Sequence, residues 1–154
     1  TNHICRWYFH MYGITADLSK PWLQVTPDLN FKNEIVIARS FRYRAPGIRY
    51  DFLQGYPNIT FVGLKEEYED MKQAIPGLKH RTVNNFLEFA QIIAGCKFFI
   101  GNQSFPFAVA EGLKVPRALE LCFECPNVIP EGPNAYDFLY QPQFEKVVKQ
   151  LDMR

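Results

Sequence analysis

Three arginines fall within six residues of one another in the stretch "ARSFRYR": Arg39, Arg42 and Arg44, interleaved with Phe41 and Tyr43. Guanidinium groups this close repel unless something anionic sits among them, and their forked donors match phosphate oxygens two at a time. Ser40 adds a hydroxyl. A second stretch, "GNQS", follows the apolar run Phe98–Ile100 and leads into "FPFAVAEGLK". Gly101 permits close backbone approach. Asn102, Gln103 and Ser104 turn the chain and cap the helix beyond them, and free N–H groups at a helix start favour an anion. Both stretches point to a phosphate-bearing ligand. Each also has a structural alternative: the arginines pair with the acidic run "KEEYED" or lie in solvent, and Ser104 only caps its helix.

Glu66 and Glu67 follow the β-branched run "NITFVG". A carboxylate just beyond such a strand often accepts from a ribose hydroxyl; the alternative is a solvated first turn. Other chemistries find less support. The histidines His3, His10 and His80 stand in no Ser–His–acid arrangement, and no glycine turn is followed by Lys-Ser/Thr. The G-x-G-x-x-G fingerprint is absent, which disfavours a nicotinamide dinucleotide. Cys122 and Cys125 form a C-x-x-C, but Cys96 and scattered histidines make a poor second pair for zinc, so the expectation is a reduced thiol pair with no metal.

The elements that must hold these residues alternate regularly. "EIVIAR", "NITFVG", "LKHRTV", "KFFIG" and "RALELC" read as strands. "KEEYEDMKQAI" has acids in its first turn, as the helix dipole prefers. "NNFLEFAQIIAGC" carries apolar residues at helical spacing, and Pro106 fits the first turn of "FPFAVAEGLK". A final helix spans about Gln143–Leu151, after an irregular tail through "PNVIPEGPNAYDF". Strand–helix alternation implies an α/β fold: a three-layer Rossmann-like domain, its mainly parallel sheet of five or six strands covered on both faces. The simplest strand order is 3-2-1-4-5. The chain then reverses between the first and fourth strands, and ligands bind at the carboxyl ends beside that switch point. Both phosphate-suited stretches lie there.

Residues 1–33 differ. "HICRWYFHMYGI" reads as a short amphipathic helix, and "DLSKPWLQVTPDLNFKN" as a proline-broken linker. Trp7, Tyr8, Phe9 and Trp22 are expected either to pack back on the domain, which spans 34–154, or to meet a neighbouring domain. The 17 Lys+Arg nearly balance 16 Asp+Glu, so nothing general invites nucleic acid and any anion site must be local. No stretch reaches the roughly 18 apolar residues of a membrane span. The reading is cytoplasmic, including the inner membrane surface.

The segment "FLEFAQIIAGCKFFIGNQSFPFAVAEGLKVPRALEL" resembles the donor-binding, C-terminal domain of heptosyltransferase-like GT-B glycosyltransferases, and "FVGLKEEYED" resembles their strand–glycine–acidic helix start. That family carries a Gly/Ser-Asn/Val-Asp-Ser/Thr-Gly-Pro-x-His turn and helix. Gly101, Asn102, Ser104 and Pro106 match it. Gln103 stands at the Asp, Phe105 at the Gly and Ala108 at the His. The resemblance implies one half of a GT-B fold that binds a nucleoside-diphosphate sugar, with Arg39, Ser40, Arg42, Arg44 and Gly101–Ser104 near the phosphates and Glu66 or Glu67 near the ribose. It implies transfer of that sugar to the hydroxyl of a glycan or other acceptor, with no further cofactor and no metal. It also implies an N-terminal acceptor domain, of which residues 1–33 would be a remnant. The catalytic residues stay unassigned, and the chain alone is expected to be inactive. The alternative is a non-catalytic binding or interaction module on the same scaffold.

Overall fold

A computed structural model describes residues 3–125 and 128–154. Six strands form one parallel sheet: β1 (Ile35–Ala38), β2 (Ile59–Val62), β3 (Lys79–Arg81), β4 (Phe98–Asn102), β5 (Arg117–Glu120) and β6 (Ala135–Phe138). Their order is β3-β2-β1-β4-β5-β6. The expected order 3-2-1-4-5 holds and gains an edge strand. β6 lies within the stretch expected to be an irregular tail, because its four residues, "AYDF", carry no β-branched run. It exists because it pairs with β5 in parallel register, Arg117 with Ala135 through Glu120 with Phe138.

The helices are α1 (Ile4–Met11), α2 (Lys65–Ala74), α3 (Phe86–Gly95), α4 (Phe105–Leu113) and α5 (Gln141–Asp152). Alternation along β1 divides the core. Ile35 and Ile37 face a cluster that includes Met71 of α2 with Phe144 and Val148 of α5. Val36 and Ala38 face the opposite cluster, with Ile92 and Ile93 of α3 and Ala110 of α4. Burial on both faces explains why the strands read as continuous apolar runs. Local signals set the helix starts. Asn85 accepts from the Glu88 N–H at 2.9 Å, while the Glu88 carboxylate takes the Asn84 N–H at 2.9 Å.

The leader runs across α4 and then α3. Trp22 and Leu23 both donate to the Gly112 carbonyl, at 2.9 and 3.0 Å, and Asp28 donates to the Gln91 carbonyl at 2.9 Å. Beyond that the packing-back expectation fails for the first aromatics. No residue of α1 is buried, and Trp7 and Tyr8 stay 61% and 56% exposed. The helix is fastened at its polar edge instead, by the Arg6–Glu131 ion pair.

Gly95 shows how closely the leader approaches. A Cβ there would lie 2.0 Å from the Asp28 carbonyl oxygen and 2.7 Å from its carbon, both backbone atoms with little room to move. Gly95→Ala is therefore expected to lower unfolding free energy by about 1–3 kcal/mol, read by urea denaturation. The neighbouring Cys96 thiol is pushed up to about 12 by burial. At pH 8 it should stay unalkylated by iodoacetamide while exposed Cys125 reacts; peptide mass spectrometry of the folded protein separates the two.

Candidate functional site

β1 and β4 are neighbours, with Ala38 opposite Gly101. The loop after β1 and the turn after β4 therefore meet at the carboxyl edge of the sheet, where the strand order reverses. Asn102, fully buried at the end of β4, joins them. Its Nδ2 donates to the Ser40 and Arg42 carbonyls, at 3.0 and 2.6 Å. Its Oδ1 accepts from the Ser40 N–H at 3.0 Å. The arginine loop takes its shape from this clasp. Tyr43, between Arg42 and Arg44, is held at φ 58°, a left-handed conformation disfavoured for a bulky side chain.

The three arginines have different fates. Arg39 is buried and turned onto Glu120, the last residue of β5, with Nε–Oε2 and Nη2–Oε1 distances of 2.6 and 2.7 Å. Glu120 also accepts from the Ala45 N–H at 2.7 Å and the Tyr50 hydroxyl at 2.9 Å. Burial opposes the Arg39 charge, but the bond to Glu120 and the surrounding negative charge raise its pKa. Burial, with the Glu120 charge beside it, also pushes the Tyr50 hydroxyl well above its ordinary value. Arg44 pairs with Asp70 of α2 at 2.7 Å and donates to the Ser40 carbonyl at 3.0 Å. Arg39 is held by Glu120, and Arg44 by Asp70 of the acidic helix and the Ser40 carbonyl, with its Nη2 buried and unpartnered among the described residues. Arg42 is different. It is exposed, its guanidinium sits 5.5 Å from the Tyr43 ring centre, and no carboxylate pairs with it among the described residues.

The "GNQS" turn divides its labour. At Gly101 an added Cβ would lie 2.6 Å from the Phe99 ring and 2.9 Å from the Ala38 carbonyl, so the glycine serves close packing inside the sheet. Gln103 reaches the loop after β5: its Oε1 accepts from the Cys122 N–H at 2.7 Å and its Nε2 donates to the Cys125 carbonyl at 2.5 Å. Cys122 thus meets the site through its backbone. Ser104 stands at the N-cap of α4, but its hydroxyl turns back to Asn102, at 3.3 Å, and makes no capping bond. The start of α4 therefore presents its positive end without a side-chain cap.

A cavity of about 480 Å³ opens here, its lining including Ser40, Arg42, Ser104 and Phe105 together with Leu64, Lys65, Glu67, His80 and Phe86. That volume suits a small-molecule ligand. Glu67 lines the cavity; Glu66 is exposed and does not. Partial burial raises the Glu67 pKa, against the lowering effect of nearby N–H groups and Arg44. Sequence reasoning missed His80 and Phe86. The His80 ring stacks on Tyr68 with centres 4.3 Å apart, and its Nε2 lies 3.2 Å from the Gly63 carbonyl. Phe86 is 76% exposed and meets Phe105, itself 52% exposed, at 4.9 Å. Position was the available signal, since His80 sits near the carboxyl end of β3 and Phe86 begins α3, on the same sheet edge as the arginine loop.

The sequence matches no family model and no curated protein. The fold does have a solved counterpart. The crystal structure of the glycosyl transferase family 9 protein from Veillonella parvula DSM 2008 superposes with a TM-score of 0.50 and 15% sequence identity, over 98% of this chain and 47% of that chain. The chain thus spans about half the length of that glycosyltransferase and has a glycosyltransferase-like, Rossmann-like α/β fold.

The Arg39–Glu120 pair is buried at both ends, with side-chain exposures of 10% and 0%. Removing one partner would strand the other's charge. Glu120→Ala is expected to cost about 3–5 kcal/mol of stability, measured by chemical denaturation, and Glu120→Gln less, because its one amide oxygen can still accept from the Ala45 N–H while its NH2 replaces the oxygen facing Tyr50 and the Arg39 Nε.

Proposed function

We propose that this chain is the nucleotide-sugar-binding half of a glycosyltransferase. The observation that carries the reading is Arg42: a guanidinium without a carboxylate partner among the described residues, beside an uncapped helix start, on a cavity at the sheet's switch point. Diphosphate would lie between Arg42 and the start of α4, with Ser40 and Ser104 as hydroxyl partners. Arg39 and Arg44 would act indirectly, by holding the loop through Glu120 and Asp70. The base and ribose would extend toward Glu67, His80 and the Phe86–Phe105 pair.

In the reaction proposed, the bond between the sugar's anomeric carbon and the diphosphate oxygen breaks. The acceptor hydroxyl oxygen bonds to that carbon and gives up its proton to a base outside the residues assigned here. Negative charge grows on the departing diphosphate, and Arg42 with the α4 dipole would stabilise it in place. The acceptor, a glycan or another hydroxyl compound, would be held by a second domain. The solved glycosyltransferase of similar fold, of which this chain spans 47%, is long enough to hold such a second domain.

A non-catalytic binding module is the second reading. It is favoured by one observation: two of the three clustered arginines already pair with the chain's own carboxylates.

Calorimetric titration of ADP, UDP and GDP decides between them. At least one should bind, and Arg42→Ala should weaken it by about 1.5–3 kcal/mol. Arg44→Ala should weaken it less. Absence of binding at millimolar nucleotide, also when the upstream domain is joined, leaves the module.

A further inference from the structure

A second cavity, of about 490 Å³, lies on the other side of the α4 start, beneath the leader. Its walls include His3, Trp22, Tyr43 and Gln103. It shares Arg42, Ser104 and Phe105 with the first cavity. The two spaces thus flank one positively charged point, with the Phe105 ring on the wall of both.

We propose that this second cavity receives the sugar ring of the donor. The proposal rests on the nucleotide reading above and extends it. A nucleoside-diphosphate sugar has a charged centre with two different arms, a base with ribose and a sugar. With its diphosphate at Arg42 and Ser104, one arm enters the first cavity and the other has the second cavity within reach. The linings differ accordingly. The first cavity presents the Phe86–Phe105 pair, flat surfaces for a base. The second combines aromatic rings, which suit the C–H faces of a sugar, with polar groups that suit its hydroxyls.

His3 is the most telling of those polar groups, because it is only 6% exposed yet incompletely bonded. Its Nδ1 accepts from the Cys5 N–H at 3.2 Å, so in the neutral ring the proton sits on Nε2. Burial favours that neutral form, lowering the His3 pKa against the pull of Glu111 and Glu131. Nε2–H finds no hydrogen-bond partner among the described residues, and it is available to a sugar hydroxyl. The Trp22 indole meets the His3 ring edge-on, with centres 6.4 Å apart. The leader, by this account, forms one wall of the donor site.

The test compares each free nucleotide with its sugar conjugate: ADP with ADP-glucose, UDP with UDP-glucose, GDP with GDP-mannose. Titrations use the chain spanning residues 1–154 and its Trp22→Ala and His3→Ala variants. The expected result is a loss of about three- to tenfold in sugar-nucleotide affinity, with free-nucleotide affinity unchanged. Trp22→Phe should restore most of it. Saturation-transfer NMR should show sugar protons in wild type that weaken in Trp22→Ala. Equal losses for nucleotide and conjugate, or no loss for either, would overturn the second-cavity proposal while leaving nucleotide binding intact. Wild type that binds neither nucleotide nor conjugate would instead overturn the nucleotide reading, and this proposal with it.

Discussion

Glu120 is the fixed point of the sheet's carboxyl edge. Its carboxylate ends β5 and takes four hydrogen bonds: two from Arg39, one from the Ala45 N–H and one from the Tyr50 hydroxyl. A carboxylate withdrawn from water needs such a set, since an incompletely paired buried charge costs several kcal/mol. Meeting that need draws the segment from Arg39 to Tyr50 across β4 and onto β5. The loop after β1 is therefore not free to find its own shape. It is tied at its first residue, in its middle and at its end.

Asn102 completes the constraint from the other side. Glu120 fixes the ends of the loop, and Asn102 fixes its turn by holding the carbonyls of Ser40 and Arg42. Tyr43 accepts an unfavourable backbone conformation as a result. The outcome is a separation of roles among like residues. Arg39 and Arg44 are bound inward and act as struts, while Arg42 is left facing the start of α4. One loop thus builds its own support and presents a single charge.

The same economy governs the turn after β4. Gly101 lets β4 lie against Ala38, Asn102 holds the arginine loop, Gln103 holds the loop after β5, and Ser104 leaves the helix start uncapped. Three of these four residues face the protein's interior bonds. The charges on the cavity wall come from the Arg42 guanidinium, Lys65 and the Glu67 carboxylate, beside the backbone dipoles at the start of α4. Phe105 then gives the cavity an aromatic wall where a smaller residue would leave it open.

The sequence by itself determined five of the sheet's six strands and their order. Apolar runs such as Ile35–Val36–Ile37 and Phe98–Phe99–Ile100, alternating with capped amphipathic helices, leave few arrangements that bury both strand faces, and the order 3-2-1-4-5 follows from short right-handed crossovers. That order also brings the loop after β1 and the turn after β4 to one edge, because the switch point depends on topology alone. The partners of the charged side chains were decided only in three dimensions. Nothing in "ARSFRYR" distinguishes Arg42 from Arg39; the difference is Glu120, 81 residues further on, which only the pairing of β1 with β4 and β4 with β5 brings near. β6 was hidden for the same reason, since "AYDF" is made a strand by its partner rather than by its own residues. His80 and Phe86 look like ordinary strand and helix residues until the sheet sets them beside the arginine loop. Local propensity and pattern fix elements and their order, whereas ion pairs and cavity walls depend on contacts that arise only once the chain has folded.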